Sequence, residues 1–274
     1  SSEYFVEGGR SRTGRTLSPK AGMLAMTVRS YLRDSKKPMV FVPVYTGYEK
    51  VFEEKSYLGE LRGKAKKKES LLDVLGTLRS FKKSFGKVNV TFGEPIHLSP
   101  YLEERHPGWS NQDYEACNYR PDWAPELVDE LATTVVTEIN RAASVNPINL
   151  IALAILASPR QAMDENQLMR HMEAYRDLLA MVPYSDMTVL PDGHASDWLA
   201  HAEELGCVSR SSHDMGDLIQ TNERQAVTLT YYRNNVLHII ALPSLIACLL
   251  LNNRRCTQAD ILESCQALYP FLKA

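Results

Sequence analysis

Residues 5–15 read FVEGGRSRTGR: an apolar lead-in, a carboxylate, two glycines and then three arginines. Gly8 and Gly9 permit positive φ and let a ligand approach the backbone closely. Arg10, Arg12 and Arg15 supply planar forks that match phosphate oxygens. Lys20 adds a point charge where a helix is expected to begin, and the unsatisfied N–H groups of such an end also favour an anion. Glu7 can accept a hydrogen bond from a hydroxyl, or it can pair with an arginine and hold its orientation. Phosphate recognition beside hydroxyl recognition describes a phosphorylated polyol. The same residues also fit a solvent-exposed arginine loop with no ligand, and both readings stand at this point. An ATPase P-loop needs GxxxxGK followed by Ser or Thr, and a dinucleotide turn needs GxGxxG; GGRSRTGR supplies neither.

Such a loop needs a frame. Residues 4–7 are expected to form a short strand ending at Gly8-Gly9. Residues 20–35 read as a helix with Met23, Leu24, Thr27 and Tyr31 on one face. PMVFVPVY (38–45) is the kind of apolar run that a parallel sheet buries on both faces. Strand, helix and strand in this order predict a βαβ unit with a right-handed crossover. Residues 70–85 form a second helical pattern, and KVNVTFGEPIHL (87–98) a third strand that ends at Gly93 and Pro95. Residues 100–123 are loop-like. Helices are then expected over 124–143, 147–158, 164–181, 195–205, 226–251 and 257–270, with Asp164, Ser196 and Thr257 as N-caps.

Composition sets wider bounds. The 274 residues suffice for one large domain or two ordinary ones. From Ser1 to Lys87 there are 19 Lys+Arg against 9 Asp+Glu, and from Val88 to Ala274 there are 12 against 24. The basic first third suits an anionic partner or a solvated face. The five cysteines, Cys117, Cys207, Cys248, Cys256 and Cys265, form no CxxC pair and no zinc-ligand spacing, as expected of a reduced, cytosol-facing protein. The longest apolar run, Val236 to Leu251, is interrupted by His238 and Pro243. It falls short of the roughly twenty clean residues of a membrane span, so a buried helix kinked or started at Pro243 is expected.

FVEGGRSRTGR (5–15) resembles the Glu-Gly-x-Arg-Ser block of the glycerolipid acyltransferases, and VFVPVYTGYEKV (40–51) resembles their following block, an apolar strand carrying a proline. Together with ELRGKAKKKES (60–70), FGEPIHL (92–98) and TYYRNN (230–235), in this order, they are similar to the bacterial membrane-bound glycerol-3-phosphate 1-O-acyltransferases over nearly the whole chain. That resemblance implies an α/β fold: the distal half of an HxxxxD-type acyltransferase domain over 1–122, then a mainly helical C-terminal region over 123–274. It implies acyl transfer from acyl-CoA or acyl carrier protein to the 1-hydroxyl of glycerol 3-phosphate, giving lysophosphatidic acid for phospholipid synthesis. No metal or other cofactor is implied. The setting implied is the cytoplasmic face of the bacterial inner membrane, with the lipid surface as a peripheral partner. By match of motif, Glu7, Gly8, Arg10 and Ser11 belong to the acceptor site, and Arg12 joins them on charge. Pro43 shapes the neighbouring strand end, either for acceptor binding or for wall geometry.

The family's base is a histidine followed five residues later by an aspartate. In this chain the histidines at 97, 106, 171, 194, 201, 213 and 238 are followed at that distance by Leu, Asn, Arg, Leu, Gly, Leu and Pro. The HxxxxD block is therefore expected upstream of Ser1. The chain reads as an internal piece of a larger enzyme, stopping inside the helical region and inactive alone. The alternative is a non-catalytic anion- or lipid-binding module, or a dead paralogue, which would share the loop. The basic stretch RGKAKKK (62–68) suits anionic headgroups, coenzyme phosphates or plain solvent. Nucleic acid is not expected, because no aromatic residues interleave with the loop arginines.

Overall fold

The structure, a computed structural model, describes residues 2–9, 11–50, 86–112, 114, 121–252 and 255–272, with the side chains of 269–272 left aside. The expected helix over 70–85, the basic stretch 62–68 and Arg10 lie outside the described residues.

Helix α1 (Gly22–Arg33) follows from apolar residues spaced for one helical face: Leu24, Val28, Tyr31 and Leu32 are buried. Met23, expected on that face, is 47% exposed. Next come β1 (Val40–Phe41), β2 (Val44–Tyr48), β3 (Val88–Phe92) and β4 (Ile96–His97). Helix α2 (Leu98–Arg105) occupies part of the stretch expected to be loop. Pro100 falls in its first turn, where a missing N–H removes no intrahelical bond, so proline there starts a helix rather than breaking one. Helix α3 (Ala124–Arg141) buries Leu127, Val128, Leu131, Ala132 and Val135. These residues, with α1, Ile96, Leu98, Tyr101, Leu102, Trp109 and Val6, form one hydrophobic core.

Helices and small sheets are both present, but two sheet expectations need correction. Residues 4–7 are not a strand: the Gly8 N–H donates to the Phe5 carbonyl at 3.0 Å, which turns the chain where a ladder would require extension. The run at 38–45 is not one buried parallel strand. Pro43, buried and without an N–H, separates β1 from β2, and Val40, Val42 and Val44 are 39%, 49% and 39% exposed. β1 pairs with β4 and β2 with β3, both antiparallel, so no parallel crossover occurs among the described strands.

The described chain forms two compact units. The first comprises 1–144 with 185–189, and the second comprises 145–184 with 190–274. Helix α3 packs in the first unit, and Val145 opens the second. In the second unit, helix α4 (Pro147–Ile155) is almost wholly buried and packs against α5 (Glu165–Met181), α6 (Ala195–Glu204) and α7 (Glu223–Asn235). Strands β5 (Ala162–Asp164), β6 (Ser209–Ser211) and β7 (Leu218–Gln220) make an antiparallel sheet with β7 in the middle. Asp164 caps α5 by accepting from the Gln167 N–H at 3.0 Å. Thr257 accepts from the Asp260 N–H at 3.2 Å at the start of α9 (Gln258–Leu272). The cap of α6 is His194 rather than Ser196, and it makes no side-chain bond.

The single helix expected over 226–251 is two helices, α7 and α8 (Leu237–Asn252), bent by 87°. The bend lies next to Val236, not at Pro243, which α8 accommodates. Val236 is 1% exposed, and its N–H donates to the Arg233 carbonyl at 3.2 Å, so the last turn of α7 closes by tightening. No single described helix is long and apolar enough to cross a membrane.

Candidate functional site

The loop that follows Val6 is closed by its own backbone. Val6 sits in the core of the first unit, 6% exposed, and anchors one arm. Its carbonyl accepts the Lys20 N–H at 2.7 Å, which draws the two arms together at a neck. Gly8 has φ +64°, a conformation costly for any residue with a Cβ. A Cβ on Gly8 would also lie 2.8 Å from Lys20 Cγ, so the lysine stem is laid across the turn. The neck thus needs glycine for backbone angle and for space. Arg12 and Arg15 are on the exposed part of the loop, and the Arg15 N–H donates to Thr13 Oγ1 at 3.4 Å. Helix α1 begins directly after the neck with no side-chain cap and no acid in its first turn, so its N-terminal dipole faces no carboxylate of its own turn.

Glu7 takes a role that its residue type did not disclose. Its carboxylate is half-buried and accepts the backbone N–H of Leu17, stapling the loop across its middle. Burial pushes its pKa up, and the Leu17 hydrogen bond partly offsets that shift. Neither a hydroxyl ligand nor an arginine partner is needed to explain its orientation, although a carboxylate bonded once retains further acceptor positions. Ser11 Oγ is buried and has no hydrogen-bond partner among the described residues.

Pro43 lies in the strand break and accepts the Gly93 N–H through its carbonyl at 2.8 Å. A Cβ on Gly93 would stand 3.1 Å from Pro43 Cβ and 3.0 Å from the Glu138 carbonyl oxygen. Gly93 therefore lets the strand pair seat directly on the last turn of α3. The same turn of α3 reaches the loop by another residue: Thr16 Oγ1 donates to Asn140 Oδ1 at 2.8 Å. Glu138 pairs with Arg141 at 3.2 Å, and Arg141 reaches Asp186 at 3.4 Å. Thr16, Leu17 and Asn140 have no signal in the motif. Asn140 is 124 residues from its partner, a separation no local pattern carries.

The arrangement suits anion capture: a closed turn with arginines on its exposed part, a lysine across its neck and an uncapped helix start beyond it. Among the described residues, no group of His, Cys, Asp and Glu is placed to hold a metal ion.

Similarity to known proteins agrees in kind. A family model described as the glycerol-3-phosphate acyltransferase C-terminal region matches residues 57–274. A glycerol-3-phosphate acyltransferase of Pseudomonas paraeruginosa is 49% identical over all of this chain and 33% of its own length. Proteins of the same name from Pseudomonas putida and Pseudomonas fluorescens are 49% and 48% identical over 99% of the chain. The chain spans about a third of the length of these curated relatives (33% and 32%). Unlike the family model, the relatives' matches extend over the loop and Pro43 segments as well. The chain belongs to the glycerol-3-phosphate acyltransferase family.

Proposed function

We propose that this chain is the acceptor-binding part of a glycerol-3-phosphate 1-O-acyltransferase, with the closed arginine loop receiving the phosphate of glycerol 3-phosphate. The observation that carries this reading is the loop itself: Glu7 and Gly8 help to fix a turn that has Arg12 and Arg15 on its exposed part. Arg10 and Arg12 supply phosphate contacts, Ser11 Oγ supplies a further hydrogen-bonding group, and Glu7 steadies the loop. Pro43 forms the neighbouring wall.

The acyl donor is acyl-CoA or acyl carrier protein, and no cofactor takes part. The acceptor's 1-hydroxyl attacks the thioester carbonyl, the thiol leaves, and lysophosphatidic acid forms. A histidine of an HxxxxD block takes the hydroxyl proton. None of this chain's histidines has that spacing, so this role falls to sequence outside it. Residues 1–122 are read as the distal acyltransferase part and 123–274 as the helical C-terminal region. Helix α3 buttresses the former. The protein would work peripherally on the cytoplasmic face of the bacterial inner membrane, where its lipid product is used.

The rival reading, a non-catalytic anion-binding module, shares the loop but needs no base. An acyl-transfer assay on the full-length protein separates the two. Acylation of glycerol 3-phosphate with acyl-CoA, and only trace acylation of glycerol, is expected. Binding of glycerol 3-phosphate without turnover would favour the module.

A further inference from the structure

We propose that Asn140 is a positioning residue for the arginine loop, acting through its hydrogen bond to Thr16. The inference rests on the acceptor reading above. Several ties among the described residues help to set the loop's own shape: Gly8 to Phe5, Lys20 to Val6, Leu17 to the Glu7 carboxylate, and Arg15 to Thr13. These lie within residues 5–20, so they do not themselves fix how the loop stands on the body of the unit. Val6, buried in the core, seats the first arm. The second arm, which carries Arg15, is tied to the body by Thr16 Oγ1 donating to Asn140 Oδ1 at 2.8 Å.

The position of Asn140 makes this tie more than a surface contact. It lies in the last turn of α3, the turn whose Glu138 carbonyl packs against Gly93 and, through it, beside Pro43. The Glu138–Arg141–Asp186 pairs brace that turn at 3.2 and 3.4 Å. One helical turn therefore touches both sequence blocks, the arginine loop and the strand break, and sets their register. Arginine forks hold a phosphate only when several of them converge on it. A loop released at Thr16 keeps its internal ties and its charges but loses this tie to the helix that aims its second arm. An exposed hydrogen bond contributes little to global stability. Its loss is therefore expected in acceptor binding and not in folding.

The test uses the full-length protein with Thr16→Val, Asn140→Leu, the double variant, Thr16→Ser as the variant that keeps the donor, and Arg10→Ala as a reference. Thr16→Val and Asn140→Leu should each raise the KM for glycerol 3-phosphate roughly three- to ten-fold. The KM for acyl-CoA and the unfolding temperature should stay at wild-type values. The double variant should be no worse than either single one, as expected of two halves of one bond. Thr16→Ser should restore the wild-type constant. If Arg10→Ala raises the acceptor KM and neither Thr16→Val nor Asn140→Leu does, the positioning role falls and the acceptor reading stands. A parallel loss of both substrates' KM and of thermal stability would make the bond merely structural and overturn the proposal. If Arg10→Ala leaves the acceptor KM unchanged, the acceptor reading fails, and this inference fails with it.

Discussion

In the second unit, Asn149 donates to the Tyr232 carbonyl at 2.8 Å and shares a reciprocal cap with Asn146 at 2.8 and 3.1 Å. Arg210 reaches Glu165, Glu203 and Asp217 at 2.7–2.9 Å. These carboxylates, Glu165 first, hold the guanidinium pKa above its ordinary value, and Arg210 in turn holds Asp217 below the usual carboxylate range. The first unit has such pairs too, Arg105 with Glu130 and Arg141 with Glu138, but it also holds polar atoms left unpaired. Among the described residues, Ser11 Oγ, Glu138 Oε2, Ser144 Oγ and Thr188 Oγ1 are buried without a hydrogen-bond partner, and all four belong to that unit. The outward face of the β2–β3 pair is also apolar and open, with Val44 opposite Phe92 and Tyr48 opposite Val88, each 39–63% exposed.

A buried polar atom left unpaired costs on the order of 1–3 kcal/mol, so a fold retains few without a reason. The contrast teaches where to look for function. Charged groups in the helical unit pair internally and hold elements together. In the α/β unit, one of the unpaired atoms, Ser11 Oγ, lies in the loop where a substrate is proposed to bind, and another, Glu138 Oε2, lies in the last turn of α3, which is bonded to that loop.

Substitutions can break that contrast. The largest effect is expected from Asn149→Ala, which strands the Tyr232 carbonyl and the Asn146 N–H in the core. It should lower unfolding stability by about 2–3 kcal/mol in chemical denaturation. The acceptor KM of molecules that remain folded should not move, and a selective change in it would erase the division of labour between the units. Gly8→Ala should have a smaller effect, about 1–2 kcal/mol, from a Cβ at φ +64° pressed toward the Lys20 stem. That strain should appear as a several-fold higher acceptor KM with little loss of overall stability. Equal changes for both substrates would argue against a local role for the neck.

Much of the helical part of the chain was legible in the sequence. The stripes of α3, α4 and α5 and the caps Asp164 and Thr257 are local signals, and each helix formed within a few residues of its expected bounds. Val236 was not legible as a break, because a β-branched residue in an apolar run carries no stop signal. In the first unit, composition identified strand-forming residues but not their partners. A long apolar run fits a buried parallel strand or two short antiparallel ones equally well, and Pro43 decided between them. The loop's glycines and arginines were visible, whereas Glu7's bond to Leu17 and Thr16's bond to Asn140 arise only once the chain folds back.

The central claim is that the arginine loop holds the acceptor's phosphate. The most direct test is the pair of Michaelis constants of Arg10→Ala in the full-length protein. Loss of one charged phosphate contact, about 2–3 kcal/mol, predicts a large rise in KM for glycerol 3-phosphate and an unchanged KM for acyl-CoA. An unchanged acceptor KM would remove Arg10 from the site and contradict the account.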